Sequence, residues 1–248
     1  MLWIITDTHI GHKAIISYCG RPGNFGSLIL KNWKRMIAPE DTILHLGDVA
    51  WGEDNLKLIT YLPGHKILVR GNHDSKSLEY YMQKGFDFAC DSVTMKLNGM
   101  EVLFSHHPTY WHRADINIHG HQHDLHVEDS SRLYLPLAIE TMGYKPLAVD
   151  ERFLRRVRSW VDRQHQPTLK EIMALGQDYY GEPREADVYG IAGQETFIDM
   201  TRRRKVASEI LNSYGYKDWR RNKSICKAYD DFIKKEISKE KFMAILKE

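Results

Sequence analysis

The chain has few cysteines and no long apolar segment. Its three cysteines, Cys19, Cys90 and Cys226, lie far apart in 248 residues and form no CxxC pair. An odd number of dispersed cysteines predicts no disulfide framework and fits a reducing cytoplasm. No uninterrupted apolar run approaches the roughly 20 residues that a membrane-spanning helix needs. The N-terminus has no basic segment and reaches Asp7 too early for a signal peptide. We therefore expect a cytoplasmic protein without a membrane-spanning helix.

The chain also lacks a strong charge of one sign, because its formal net charge is only +2. Residues 1–150 carry 14 Lys and Arg against 17 Asp and Glu, whereas residues 151–248 carry 21 against 16. Twelve of the 13 histidines lie before residue 127. Two regions of different chemistry are therefore expected, a histidine-rich N-terminal one and a mildly basic C-terminal one.

Short apolar runs alternate with amphipathic stretches in the first region. The apolar runs predict strands at residues 2–6, 42–46, 66–70, 93–97, 101–105 and 116–119. The amphipathic stretches predict helices at 27–37, 54–62 and 75–84, with Ser27 and Ser75 as N-caps. This alternation predicts an α/β sandwich. After about residue 150 the pattern is helical, with helices expected at 151–162, 169–176, 195–213, 217–236 and 238–247.

Polar motifs follow the predicted strands directly. These motifs are Asp7-Thr8-His9, Gly47-Asp48, Gly71-Asn72-His73-Asp74 and His106, and a further pair of histidines is His121-Gln122-His123. Ligand sites in α/β sheets gather at the carboxyl ends of strands. The loops are therefore expected to deliver these side chains to one edge. Carboxylates, imidazoles and one amide oxygen, with no thiolate, suit a divalent ion such as Mn²⁺, Fe²⁺, Zn²⁺ or Mg²⁺.

The ordered set D-x-H, G-D, G-N-H-D, H and G-H-x-H resembles the calcineurin-like metallophosphoesterase superfamily over roughly residues 1–150. The words Gly11-His12-Lys13, Arg21-Pro22 and Ser105-His106-His107-Pro108 further resemble small stand-alone bacterial and phage members. The resemblance implies an α/β four-layer αββα sandwich, which we assign to residues 1–163. A helical, partly basic extension of unassigned role is expected at residues 164–248.

The resemblance also implies a site for two divalent metal ions. Mn²⁺ is the first expectation, and Fe²⁺, Zn²⁺, Ni²⁺ and Mg²⁺ stay open. One ion would be held by Asp7, His9, Asp48 and His123, and the other by Asp48, Asn72, His106 and His121, with Asp48 bridging. The implied reaction is hydrolysis of a phosphate mono- or diester by metal-activated hydroxide. His73 would donate a proton to the leaving group, and Asp74 would orient His73.

The substrate is expected to be a phosphate ester of nucleotide type. His12, Arg21 and Arg113 are candidates for binding its phosphate oxygens, because arginine offers a bidentate fork of donors. For His107 a structural role is favoured over direct metal ligation. Tyr110 and Trp111 could stack on a base, although loop aromatics more often pack.

Clusters of basic residues near the C-terminus leave two alternatives open. Residues 202–205 and 219–223 and the pair 234–235 could bind nucleic acid, which would make the protein a metal-dependent nuclease. Interleaved acids weaken any continuous positive stripe and favour a solvated helical face. A non-catalytic binding or scaffold module on the same fold is the third hypothesis. The sequence predicts no oligomeric state.

Overall fold

The structure, a computed structural model, describes residues 1–125, 132–177, 203, 206–207, 209–216, 223–233 and 237–247. The chain divides into two compact units, Met1–Gln194 and Glu195–Glu248. The division between the units comes later than the predicted domain boundary at residue 163, and the assignment of residues 1–163 to one catalytic domain stays a prediction.

The first unit contains nine strands and six helices among its described residues. The strands are β1 (Leu2–Ile5), β2 (Thr42–His45), β3 (His65–Val69), β4 (Phe88–Cys90), β5 (Ser92–Leu97), β6 (Met100–Ser105), β7 (Ile116–His119), β8 (Tyr134–Pro136) and β9 (Leu147–Ala148). The helices are α1 (Ile15–Cys19), α2 (Phe25–Met36), α3 (Glu53–Thr60), α4 (Leu78–Gln83), α5 (Glu151–Asp162) and α6 (Leu169–Gln177).

The strands form two sheets. The first has the order β4-β3-β2-β1-β9, in which β1 to β4 run parallel and β9 is antiparallel to β1. The second has the order β5-β6-β7-β8, in which β5 is antiparallel to β6 and the other pairs are parallel. The predicted α/β fold, with sheets flanked by helices, is confirmed.

The central strands of the first sheet are buried because they carry continuous apolar runs. Ile4, Ile5, Ile43 and Leu44 are fully buried, as expected of parallel strands that are covered on both faces. Helix α2 turns an apolar face inward, and the fully buried indole of Trp33 donates a hydrogen bond to the carbonyl of Pro63 at 2.9 Å. This packing fixes where each strand ends, and therefore where its loop begins.

Two predicted helix starts are wrong. Helix α2 begins at Phe25, after Asn24, and not at Ser27. Helix α4 begins at Leu78, where the hydroxyl of Ser77 accepts a hydrogen bond from the amide of Tyr80 at 3.2 Å. Ser75 does not cap that helix, because it lies three residues before Leu78 and the N-cap position is occupied by Ser77.

Four short elements were not predicted, namely α1, β4, β8 and β9. Each has two to five residues, which is too few to show a hydrophobic period. The other predicted strands of the first unit agree with the structure to within one residue at either end.

The second unit has its own apolar core. Residues 209–213 are helical, followed by α7 (Lys223–Ile233) and α8 (Lys239–Ile245). The rings of Phe232 and Phe242 stack at 5.1 Å between centroids. The buried core consists of Ala207, Ile210, Leu211, Ile225, Ala228, Phe232, Phe242 and Leu246. The predicted helix at 195–213 lies largely outside the described residues, as do 217–222 and 234–236 of the next. Within the described part of the chain, no helix is both long and apolar enough to cross a bilayer.

Phe242→Ala is expected to unfold the second unit and leave the first unit folded. Phe242 is fully buried in a core whose described residues all belong to the second unit, and such a truncation costs about 3–5 kcal/mol. Hydrogen exchange should show lost protection in 223–233 and unchanged protection in β1 to β3. Tyr61→Ala, at an aromatic residue that is 85% exposed, should change neither. Equal loss of protection in both units would contradict the independence of the two cores.

Candidate metal centre

Five loops bring the predicted ligands together, and each loop follows a strand. Asp7 and His9 follow β1, Asp48 follows β2 and Asn72 follows β3, while the second sheet supplies His106 after β6 and the pair His121 and His123 after β7. The carboxyl ends of parallel strands meet at one edge of a sheet, so two such edges supply the whole set. We refer to these seven residues as the metal centre.

One side of the metal centre is formed by Asp7, His9 and His123. Oδ1 of Asp7 lies 3.8 Å from Nε2 of His9 and 3.7 Å from Nε2 of His123. Oδ2 of Asp7 accepts hydrogen bonds from the hydroxyl of Thr6 and from the amide of His121. Because only Oδ2 is used in this way, Oδ1 is left facing the two imidazoles.

Asp48 joins that side to a second group. Its Oδ2 atom lies 3.5 Å from Nε2 of His9 and 3.4 Å from Nε2 of His106. Nε2 of His106 also lies 2.9 Å from Oδ1 of Asn72. Asp48 therefore lies close to both groups of side chains, in keeping with the bridging ligand that the family resemblance implies.

The fourth residue predicted on the second side, His121, lies beside His106. The ring centroids of these two residues are 5.1 Å apart, and the ring of His107 lies 3.8 Å from that of His121. Ligand atoms of His106, His107 and His121 lie within 4.8 Å of one another. His107 is exposed, and a structural role was expected for it instead of direct metal ligation.

The hydrogen-bonding pattern of the metal centre fits a cation. Oδ1 of Asp7 and Nε2 of His9 are buried without a hydrogen-bond partner among the described residues. Nδ1 of His106 lies 2.7 Å from the carbonyl of Leu46, which can only accept, so Nδ1 carries the proton. Nε2 of a neutral His106 then points a lone pair at the acceptor oxygens of Asp48 and Asn72. Several acceptors aimed at one point need a positive charge between them.

The pKa values of His9 and His121 agree with this reading. Burial lowers the pKa of His9 to about 2, and burial with His107 and His106 nearby lowers the pKa of His121 to about 4. Both imidazoles are therefore neutral near pH 7, which metal ligation requires. For His106, burial lowers the pKa, but the hydrogen bond with Asp48 and the charge of Asp7 outweigh it and raise the pKa to about 9. A proton there takes the place that a metal cation would fill.

The backbone is strained where it presents ligands. Asp7, His9, Asp48 and His121 have φ values of 50°, 45°, 56° and 66°, in the left-handed region that non-glycine residues rarely adopt. Such strain persists only where the surrounding structure enforces it and is concentrated at functional sites. These four backbone turns direct the side chains of the metal centre inward.

Two glycines allow the loops to approach closely. Gly47 has a φ of 93°, and a Cβ atom there would lie 2.7 Å from Nδ1 of His106. A Cβ atom at Gly120 would overlap the hydroxyl of Thr6 and a carboxylate oxygen of Asp7. The glycines of the G-D and G-H-x-H words are therefore required by the packing of ligands around them.

Asp74 accepts hydrogen bonds from three backbone amides, and the role in orienting His73 that the family resemblance implies stays a prediction. Its Oδ2 atom accepts from the amides of Asp48 at 2.7 Å and Gly71 at 2.8 Å, and its Oδ1 atom accepts from the amide of Val49 at 3.1 Å. The carboxylate is buried and all these donors are backbone groups. Asp74 therefore ties the loop after β3 to the loop that carries Asp48.

The three residues predicted to bind phosphate are in different environments. Arg21 is buried and binds Glu140 and the backbone carbonyls of Asp7 and Thr8, so its guanidinium is not available to a substrate. His12 lies at the rim, 6.1 Å between ring centroids from His73. Arg113 is exposed. Among the described residues, no contact between Arg113 and the metal centre is found.

Sequence reasoning missed Glu140, Cys19 and Trp51. Glu140 accepts a hydrogen bond from Nδ1 of His123, and Cys19 lies within 4.8 Å of both. Trp51 stacks on His12 at 4.4 Å between centroids and lies 5.2 Å from His73. One signal was present for Glu140, since it is the only acid in the apolar stretch 133–149, and an isolated acid there predicts a buried, paired carboxylate.

Asp74→Ala is expected to destabilise the first unit by about 1–3 kcal/mol for each amide left unpaired. The side chain satisfies three buried backbone amides, which alanine cannot do. Chemical denaturation measures the loss, with Asp54→Ala on the exposed face of α3 as the matched control. If Asp74→Ala is as stable as the control, the three hydrogen bonds do not hold the loops together.

Comparison with known proteins places this arrangement in a family. Residues 1–136 match the calcineurin-like phosphoesterase superfamily domain. An uncharacterized protein of Methanocaldococcus jannaschii is 26% identical over 165 aligned positions, which cover 60% of this chain and 87% of that protein. The gene 66 protein of Mycobacterium phage L5 is 27% identical, covering 49% and 76%.

A solved structure is also similar to this chain. The crystal structure of a protein of unknown function from Aquifex aeolicus superimposes with a TM-score of 0.52 at 28% identity, covering 63% of this chain and 98% of that protein. The family match covers more than half of the chain, and all seven residues of the metal centre lie within it. This chain belongs to the calcineurin-like phosphoesterase superfamily.

Proposed function

We propose that the protein is a dinuclear metal-dependent phosphoesterase that hydrolyses phosphate mono- or diesters of nucleotide type. The observation that carries the proposal is the position of Asp48, whose Oδ2 atom lies 3.5 Å from Nε2 of His9 and 3.4 Å from Nε2 of His106. A carboxylate with a group of acceptors on either side suits a pair of cations better than a single one. The family to which the chain belongs supports this reading.

The residues divide into two sets of four around Asp48. Asp7, His9, Asp48 and His123 would hold one ion, and Asp48, Asn72, His106 and His121 would hold the other. Oxygen and imidazole donors without a thiolate support Mn²⁺ as the first choice, with Fe²⁺, Zn²⁺, Ni²⁺ or Mg²⁺ as alternatives. When bound, the ions supply Lewis acidity toward the phosphate and lower the pKa of water.

His73 is the candidate proton donor. Its amide donates to Oδ1 of Asp48 at 2.9 Å, and its ring nitrogen Nε2 lies 3.9 Å from Oδ2 of Asp48. The side chain is 40% exposed, whereas Asp48 is buried. His73 therefore lies between the metal centre and solvent, where the leaving group of a bound ester must depart. Imidazole is the side chain most often used as a general acid in enzymes.

Trp51 supports a substrate with an aromatic base. One side of its indole is stacked on His12, while the residue as a whole is 48% exposed. Its backbone is anchored, because the amide of Trp51 donates to the carbonyl of Ile10 at 2.7 Å. The ring lies beside His73, the side on which the leaving group departs. A nucleoside attached to the phosphate could stack on the open side of the indole.

The nuclease and scaffold alternatives gain little from the structure. Most of the basic words at 202–205, 219–223 and 234–235 lie outside the described residues. Arg203, which is described, donates to the carbonyl of Phe232 at 2.7 Å and lies over its ring, so this guanidinium packs within the second unit. We also propose that the enzyme acts in the cytoplasm, because Cys19 and Cys90 are both free thiols.

Replacement of Asp48 and of His73 should have different effects. Asp48→Asn is expected to abolish Mn²⁺-dependent turnover, because it removes the central charge of the metal centre. His73→Ala should slow alkyl phosphate esters by about 10²–10⁴-fold, the usual contribution of a general acid, and slow 4-nitrophenyl esters much less. Steady-state rates with both ester classes measure the difference. Equal slowing of both classes would remove His73 from the acid role.

Trp51→Ala should lower kcat/KM for a nucleotide ester by about tenfold or more, since stacking on a base is worth about 1–3 kcal/mol. The same change should leave methyl phosphate turnover unaltered, and Trp51→Phe should keep most of the nucleotide activity. Trp111→Ala, at a tryptophan that is 94% exposed, is the matched control. A short oligonucleotide should be assayed beside the nucleotide. Equal losses on nucleotide and methyl phosphate would exclude the stacking role.

A further inference from the structure

A chain of buried charged groups lies behind His123. The guanidinium of Arg21 donates from Nε to Oε1 of Glu140 at 2.7 Å, and the same Oε1 atom lies 3.0 Å from Nδ1 of His123. Arg21 and Glu140 are both almost completely buried. Glu140 lies between β8 and β9 and belongs to none of the sequence motifs that resemble the family. The thiol of Cys19 also lies beside His123 and Glu140.

Glu140 determines which nitrogen of His123 carries the proton. A carboxylate only accepts, so the contact at 3.0 Å requires a hydrogen on Nδ1. In the neutral form of His123, Nε2 then has a free lone pair, and this atom lies 3.7 Å from Oδ1 of Asp7 in the metal centre. Histidine ligands commonly donate their other ring N–H to a carboxylate, which fixes the orientation of the ring.

Arg21 offsets the energetic cost of burying Glu140 and connects Glu140 to a second loop. An unpaired buried carboxylate would be strongly destabilising, and Arg21 supplies the opposite charge. Its Nη2 and Nη1 atoms donate to the carbonyls of Asp7 at 2.7 Å and Thr8 at 3.2 Å. One guanidinium therefore contacts both the backbone of the Asp7 loop and the carboxylate that holds His123.

Local structure brings Arg21 to this position. Helix α1 ends at Cys19, and Gly20 adopts a φ of 64° that reverses the chain. The turn places Cys19 and Arg21 on the same buried side, and the guanidinium is further fixed over the ring of Phe25 at 5.0 Å. A surface arginine that binds substrate would have no such set of buried partners.

We propose that Glu140 and Arg21 are positioning residues for the metal position formed by Asp7, His9, Asp48 and His123. Glu140 holds the His123 imidazole with Nε2 facing inward, and Arg21 holds Glu140 and the Asp7 loop in register. This inference rests on the proposed function, because it assumes that Mn²⁺ occupies the metal centre. It assigns to Arg21 a role distinct from the predicted phosphate contact.

Calorimetric titration of the full-length protein with Mn²⁺ tests the inference. The wild type should bind two ions, and Glu140→Gln should weaken one of them by about 10–100-fold, the usual effect of losing such a partner, while leaving the other unchanged. Electron paramagnetic resonance at two equivalents of Mn²⁺ should show a spin-coupled pair in the wild type and uncoupled ions in the variant. Activity should recover at saturating Mn²⁺.

Two further variants protect the test against misfolding. Arg21→Lys keeps the charge but loses the fork that reaches both backbone carbonyls, and Glu140→Asp keeps the carboxylate. Both should weaken the same ion, by less than Glu140→Gln. Glu171→Gln is the matched control, since Glu171 lies 3.0 Å from Nε2 of His165 in an acid–histidine pair outside the metal centre. The control should bind both ions as the wild type does.

The possible outcomes separate this inference from the proposed function. Selective weakening of one ion in the three variants supports the inference. Two ions bound with unchanged affinity in Glu140→Gln, or equal weakening of both ions, would overturn it and leave the phosphoesterase proposal intact. A wild type that binds no Mn²⁺ would overturn the proposed function itself, and the positioning role with it.

Discussion

Mutual repulsion among acceptor atoms is the constraint that shapes the first unit. Around Asp48 and Asp7, carboxylate oxygens, an amide oxygen and imidazole lone pairs point toward common centres, and few protons lie between them. Without a cation such an arrangement is unfavourable. Several features hold it in place: left-handed backbone at four ligands, loops that pass one another at glycines, and a buried carboxylate at Asp74 that binds three amides. The rigid strands before each loop supply the support for these features.

The residues of the metal centre could be predicted because each lies in a short word. Asp7 and His9, or His121 and His123, are neighbours in sequence, and a strand pattern precedes each pair. The fold class followed from the same alternation of strands and helices. Local sequence also predicted six of the nine described strands to within one residue, since a central parallel strand is a continuous apolar run that ends where polar residues begin.

The roles of the supporting residues could not be predicted, because they depend on contacts between distant parts of the chain. Arg21 suggested a phosphate ligand, yet its partner Glu140 is 119 positions away. Asp74 is adjacent to His73 in sequence, but its carboxylate turns toward amides near Asp48, 26 positions earlier. Trp51 follows the Gly47-Asp48 motif without belonging to it, and only the folded structure shows that its ring lies beside His73. Sequence motifs predict the candidate metal ligands, whereas only contacts in the folded protein show which residues hold those ligands in place.

The 119-residue separation between Arg21 and Glu140 has a consequence for biosynthesis. A ribosome that has synthesised residues 1–123 has produced all seven residues of the metal centre, but neither Glu140 nor strand β9, which pairs with β1 at the edge of the first sheet. During that interval the Arg21 guanidinium lacks its buried counterion, and the His123 ring lacks the acceptor that selects its tautomer. Completion of the metal centre is therefore coupled to translation of a segment that contributes no ligand.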